Sequence, residues 1–457
     1  MAIVISENLD SVKGNFVYNC SYIYLISIIA SLGGLLFGFD IAIISGTIHF
    51  FSRHFQLDEL NVGWAVGCIS IGAAAGALLA GKLSDMLGRK KLLLLSAFLF
   101  AVTGIGTGWA GTFTFFIIFR VLSGVAIGSA AVVCPMYIAE ISPASLRGRL
   151  VSFYQLAITL GVLLAYLSNY LLLDTGVNNW RWMFSSQSVP ALLFFFGLFL
   201  VSESPRWLIR KRREKEAMQI LERVGGIDFA EAEGKAIRMS FSHEVKENVN
   251  NLFSENIFHI IITGIVIAIF SQTGGPLISY APEIFKEVGM SENSAFLQSV
   301  ILGLILFIFT MVAIATIDKA GRKKLLLYGA ALLSLNTLAM ALAFHFQLSG
   351  YWILILILIF IAVYAATIGP VTWVVLSEIF PNRIRGYAMS LATLALWIAN
   401  FFIIGSFPIM KLYLGLPITF GIYAALFFIY FLFVYIRIPE TKGRSLEEIE
   451  CILTQKL

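Results

Sequence analysis

Continuous apolar runs of about 18 residues or more recur along this whole chain, and that is the length a helix needs to cross the hydrocarbon core of a bilayer. Twelve are present: Tyr22–Ile44, Trp64–Ala80, Leu92–Ala110, Phe113–Tyr137, Val151–Leu173, Met183–Val201, Phe258–Tyr280, Ala295–Ile317, Leu325–Phe344, Trp352–Leu376, Ala388–Phe407 and Leu416–Ile436. They are continuous rather than alternating, which selects helices over barrel strands. The chain is 59% hydrophobic and 13% charged, whereas soluble domains carry about 25% charged residues. A water-soluble fold of this length cannot bury so much apolar surface, so the expected fold is an all-α membrane protein with twelve transmembrane helices.

Where the charge sits fixes the expected orientation. Of the 32 Lys and Arg residues, only Arg53, Arg181, Lys286 and Lys411 fall in loops on one side of the membrane, and Arg120 lies inside a span. The rest flank the spans on the other side, which by the positive-inside rule is cytoplasmic together with both termini. The expected location is a plasma (inner) membrane, multi-pass. Basic loops this short and this close to membrane spans are not a nucleic-acid surface. The first twenty residues are polar and the first span is too long for a signal sequence, so no cleavable leader is expected. Cys20, Cys68, Cys134 and Cys451 lack metal-ligand spacing and read as unpaired small hydrophobes. His49, His54, His243, His259 and His345 lie near span ends or in the central loop and suggest no metalloenzyme. The absence of a GxxxxGK[ST] loop disfavours a primary ATP-driven pump.

The long polar stretch from Ser202 to Asn256 divides the spans into six and six. The expected partition is residues 1–201 and 258–438 for two helical bundles, 202–257 for a cytoplasmic loop, and 439–457 for a cytoplasmic tail. Arg206–Ala217 and Ala230–Arg238 suit short amphipathic helices on the inner surface. The halves also repeat. Asp85-Met-Leu-Gly88-Arg89-Lys90-Lys91 returns as Asp318-Lys-Ala-Gly321-Arg322-Lys323-Lys324 at an offset of 233. Glu140-Ile-Ser-Pro143-Ala-Ser-Leu-Arg147-Gly148 returns as Glu378-Ile-Phe-Pro381-Asn-Arg-Ile-Arg385-Gly386 at an offset of 238. Two motifs repeated at nearly one offset indicate two pseudo-symmetric six-helix bundles.

Two charges stand inside apolar runs. A carboxylate in hydrocarbon costs about 2.5–3.5 kcal/mol even on insertion scales and is a functional candidate by default. Asp40 lies inside the first run and Arg120 about seven residues into the fourth, entered from the same side, about 10 Å deep at 1.5 Å per residue. The two are therefore expected to meet. A carboxylate whose guanidinium contact changes between states takes up and releases a proton as it does. The alternative is a static buried ion pair.

The paired loop motifs are joined by Gly33-Gly34-Leu-Leu-Phe37-Gly38-Phe-Asp40, Pro135-Met-Tyr-Ile-Ala-Glu140, Glu203-Ser-Pro205-Arg206, Gly369-Pro370-Val-Thr-Trp373 and Pro439-Glu440-Thr441-Lys442-Gly443. With these, the chain resembles the sugar porter family of the major facilitator superfamily over nearly its whole length, and within it the bacterial sugar–proton symporters. The resemblance implies a central substrate site between the bundles, reached by alternating access, with protons as coupling ion at Asp40 and Arg120 and no other cofactor. It implies a monosaccharide or polyol (a pentose, a hexose or inositol) as the small-molecule partner, a lipid bilayer around the chain, and a monomer. By motif position it implies substrate contacts at Gln155, Gln272, Trp373 and Asn400 and gate positions at Phe37 and Tyr280. Asp85, Arg89, Glu140 and Arg147, with Asp318, Arg322, Glu378 and Arg385, are implied to form ion-pair networks that hold the outward-open state. The chain departs from the pattern at Ser271-Gln272-Thr-Gly-Gly275-Pro276-Leu277, at Leu306 and at Leu396, where family members carry amides. That implies a substrate with fewer hydroxyl contacts, or one bound differently. A transporter of a non-sugar metabolite and a non-transporting nutrient sensor stay open, and no catalytic constellation supports an enzyme.

Overall fold

The structure, a computed structural model, describes residues 18–242, 255–348, 350–380, 385–440 and 442. Among them, eleven helical segments are long and apolar enough to span a membrane. They are Cys20–Gly46, Glu59–Leu87, Arg89–Gly108, Phe113–Ile141, Leu146–Leu172, Asn179–Leu200, Phe258–Ser279, Glu292–Ile317, Arg322–His345, Gly350–Ile379 and Tyr387–Arg437, here called spans one to ten followed by a double span. The last, 51 residues long, is twice the length a bilayer accommodates. It turns back at Gly415, whose φ of 76° and ψ of 165° are non-helical, and so supplies spans eleven and twelve.

Within the first bundle, span one packs along span five, span two along span four, and span three against spans four and six. In the second, span nine packs on the double span and span eight against span ten. Large apolar side chains such as Ile28, Phe98, Phe115, Phe199 and Leu335 stay more than half exposed on the outer helix faces. Hydrocarbon rather than water suits those faces. Span seven tightens into a 3-10 turn over Gln272–Gly274, and span ten breaks at Thr367, whose φ of -129° and ψ of -88° are non-helical.

The loop between spans six and seven differs from the expected pair of helices. One helix covers Pro205–Arg210 and a second Glu214–Ser242, broken at Gly225 and Gly226. Arg212 takes a left-handed φ of 61°, which ends the first helix inside the segment read as continuous. Residues 243–254, with His243, lie outside the described residues.

The repeated motifs adopt one geometry twice. Gly88 has φ 98° and ψ 160°, and Gly321 has φ 90° and ψ 149°, a region essentially confined to glycine. Each opens the next span, and a carboxylate distant in sequence covers the freed helix N-terminus. Glu203 Oε1 accepts from the Arg89 and Lys90 backbone N–H groups at 3.0 and 3.2 Å. Glu440 Oε1 accepts from the Arg322 N–H at 2.9 Å. Burial pushes the Glu203 carboxyl up, while the N–H groups and Arg89 pull it back. A side chain at position 88 would meet Glu203 as well as the backbone strain. Gly88→Ala should therefore cost about 1–3 kcal/mol and lower the thermal unfolding midpoint in detergent. Gly421→Ala, with open space around it, should leave the midpoint unchanged.

Candidate functional site: a buried ion pair beside the seam between the bundles

Asp40 opens the last turn of the helical stretch Cys20–Ile43, and Arg120 stands two turns inside span four. They meet at 2.5 Å between Asp40 Oδ1 and Arg120 Nη1, each 1% exposed. Two neutral donors complete the carboxylate. Ser123, one turn beyond Arg120, donates its hydroxyl to Asp40 Oδ2. Gln187 Nε2 donates to the same oxygen at 2.9 Å. The guanidinium also lies 5.8 Å from the centroid of the Phe184 ring, a cation–π distance. Arg120 Nε is buried without a hydrogen-bond partner. A paired charge in an apolar interior survives only with its remaining lone pairs met, and three donors from two spans meet them. Ser123 and Gln187 were not singled out by sequence. The available signal was weak: Ser123 lies three residues after Arg120, and Gln187 sits in a polar cluster inside an apolar run.

One turn before Asp40, Phe37 reaches the other bundle, its ring 5.6 Å from that of Trp397 in span eleven. Gln155 and Trp373 are half-buried on spans five and ten. Gln272 and Asn400 hydrogen-bond to one another, Asn400 Nδ2 donating to Gln272 Oε1 at 2.9 Å. Tyr280 is buried, donates to the Ile404 carbonyl at 3.1 Å and packs on Phe407. Leu306 and Leu396 are buried as apolar side chains, and the Trp397 Nε1 donor is buried without a partner.

The charged motifs gather on the face where spans two and eight end. Arg89 grips Glu140 with two bonds of 2.9 Å and reaches Asp85 at 3.1 Å. Arg322 pairs with Glu378 at 3.0 Å. Each of these pairs lies within its own bundle, and Arg147 is exposed. The side chains of Asp318 and Arg385 lie outside the described residues. Several bundle-to-bundle contacts lie in the half towards the opposite face. There Tyr166 donates to the Ile278 carbonyl at 2.7 Å, Gly303 lies against Leu163 and Tyr166, and Gly63 lies against Gly405.

Two pseudo-symmetric bundles closing over one face, with a charge pair beside the seam, define a membrane transporter rather than an enzyme. The profile of the family "Sugar (and other) transporter" matches residues 26–453, and the chain belongs to that family. It is 38% identical to the D-xylose-proton symporter of Escherichia coli (strain K12), covering 96% of this chain and 97% of that one. It is 38% identical to the arabinose-proton symporter of Bacillus subtilis (strain 168), covering 95% of each. The inward-open conformation of the E. coli xylose transporter XylE superposes with a TM-score of 0.85 at 36% identity, covering 94% of this chain and all of that one. XylE bound to 6-bromo-6-deoxy-D-glucose gives 0.81 at 37% identity, covering 95% and 100%.

Removing one partner of a buried pair leaves an uncompensated charge, whereas removing both does not. Arg120→Met should destabilise the protein by about 3–5 kcal/mol. Asp40→Asn combined with Arg120→Met should recover much of that loss, read as the unfolding midpoint of the purified protein. A double variant no more stable than Arg120→Met would mean that Asp40 is not what Arg120 compensates.

Proposed function

We propose that this chain is a proton-coupled symporter of a monosaccharide, with pentoses such as xylose and arabinose as the first substrates to test. The observation that carries the reading is the placement of Asp40, buried against Arg120 one turn from the aromatic contact between the bundles. Ionised Asp40 ties span one to spans four and six through Arg120, Ser123 and Gln187. A proton on Asp40 removes the charge that this cluster is built to hold and loosens span one. Span one carries Phe37 against Trp397, so its release is felt at the seam. The sugar relatives support this assignment, and so does the wall of aromatics and amides, since sugars need donors, acceptors and an apolar face for their CH groups.

In this reading the basic face is cytoplasmic, both termini lie there, and the chain works as a monomer in the inner membrane. Residues 1–201 and 258–438 form the two rocking bundles, with 202–257 a cytoplasmic loop and 439–457 a tail. Gln155, Gln272, Trp373 and Asn400 contact substrate, with Phe37 and Tyr280 as gates. Arg147, Glu378 and Arg385, together with Asp85, Arg89, Glu140, Asp318 and Arg322, close the cytoplasmic face in the outward-open state. A non-sugar metabolite on the same scaffold is the second reading, favoured by the buried leucines at positions 306 and 396.

The test is uptake into proteoliposomes of labelled xylose, arabinose, inositol and an organic acid, with and without a pH gradient. Asp40→Asn should abolish accumulation against a gradient while preserving binding, because the amide mimics the protonated acid. Accumulation that persists in Asp40→Asn eliminates this proton site. Gln155→Ala and Trp373→Ala should each weaken binding by calorimetry, the lost hydrogen bond at Gln155 being worth about 0.5–1.5 kcal/mol. Unchanged affinity in both would favour the non-sugar reading.

A further inference from the structure

Span two enters from the face opposite the charged motifs, and one stripe of it lies on span eleven. A Cβ added to Gly63 would collide with the Gly405 carbonyl, and one on Gly67 would sit 3.2 Å from the Phe401 carbonyl. Residues four and then three apart share a helix face, so the next member of the stripe is Ser70. Ser70 is 1% exposed, and its hydroxyl donates to Asn400 Oδ1 at 2.7 Å. The bond joins the two bundles side chain to side chain, and it starts a relay in which each donor has an acceptor. Asn400 Nδ2 donates to Gln272 Oε1 at 2.9 Å, Gln272 Nε2 to Ser271 Oγ at 2.8 Å, and the Ser271 hydroxyl to the Ala268 carbonyl at 2.7 Å. The Asn400 and Gln272 amides assigned above to the substrate are therefore engaged by the protein when this face is closed.

We propose that Ser70 is a state-dependent surrogate for a substrate hydroxyl. It occupies Asn400 while the bundles are closed on this face and leaves it when span two moves away from span eleven. Opening frees the Asn400 Oδ1 acceptor for a hydroxyl of the incoming substrate. Closing returns the Ser70 hydroxyl to that acceptor and displaces the substrate's, which lowers affinity as the other face opens. A ligand moves a two-state equilibrium only through a difference in affinity between the states, and this exchange supplies one. The latch itself needs no assumption about substrate. The displacement step rests on the sugar reading.

A cavity of about 180 Å³ at the closed face, lined by Val62, Tyr280, Glu283, Ile284, Phe407 and Lys411 among others, provides a reporter position. An Ile284→Cys reporter, buried at 1% in this state, is labelled with a maleimide in detergent without substrate. Its rate is taken relative to the same protein lacking the reporter. Ser70→Ala should raise labelling about two- to tenfold, the size expected for one lost hydrogen bond. Asn400→Ala should raise it equally, and the double variant no further, because both remove the same bond. Ser70→Thr, which keeps the hydroxyl, should return the parent rate. Unchanged labelling in Ser70→Ala, additive effects in the double variant, or Ser70→Thr behaving like alanine overturns the latch. D-xylose binding is measured on the same preparations and should tighten in Ser70→Ala. An unaltered affinity in a parent that binds xylose overturns the displacement step, whereas a parent that binds no xylose refutes the pentose assignment instead.

Discussion

A full charge inside the membrane is the constraint around which this molecule is arranged, and the contact between Asp40 and Arg120 is how it is met. Neither group is tolerable there alone, and Arg120 stays protonated in any environment a protein provides. The carboxylate is therefore held by Arg120, Ser123 and Gln187, from spans four and six. All of these partners belong to the first bundle. Under the proposed symport, a proton on Asp40 alters how firmly span one is held within its own bundle, and span one is the helix that touches Trp397 of the second.

The contacts between bundles are of a different kind from those within them. Inside each bundle the packing is fixed by bidentate pairs such as Arg89 with Glu140, and by carboxylates pinned on helix termini at Gly88 and Gly321. Across the seam, backbones nearly touch at Gly63 and Gly405, with single hydrogen bonds from Ser70 and Tyr166. Each such bond is worth about 0.5–1.5 kcal/mol net. Halves joined by single hydrogen bonds and by the packing of span five on span eight and of span two on span eleven can part and rejoin on one face without unfolding either half.

The spans were legible because length and hydropathy alone decide them, and so was their pseudo-symmetry, because Asp85–Lys91 and Asp318–Lys324 are nearly identical strings. The break at Thr367 was not legible. Helices apolar all round carry no face whose periodicity could reveal an interruption. Arg212 hid the same way in the central loop, since nothing about an arginine announces a left-handed backbone. Asp40 and Arg120 could be paired by depth because charges are rare in spans. Ser70, Ser123 and Gln187 could not, since a serine hydroxyl in a helix can equally return to its own backbone. Ser27, Ser31 and Ser96 do so. Glu203 and Glu440 were visible only as family motifs, and their equivalence as helix caps appears once both turns are seen in space.

The buried leucines at 306 and 396 and the shared bond at Asn400 bear on the same question. Transport requires that substrate be held well enough to enter and loosely enough to leave, and a site that binds equally in both states shifts no equilibrium. A wall with many fixed amides would grip a sugar in either state. Here leucines stand at two of the amide positions, and two of the remaining amides are engaged by the protein when one face is closed. Under the proposed substrate contacts, affinity is set less by how many donors the site owns than by which of them the protein itself has claimed. Under the proposed symport, the proton on Asp40 loosens span one at Phe37 while Ser70 sets what span eleven offers. The two controls act on neighbouring residues of one helix, Trp397 and Asn400, which places coupling and recognition within a single turn of span eleven.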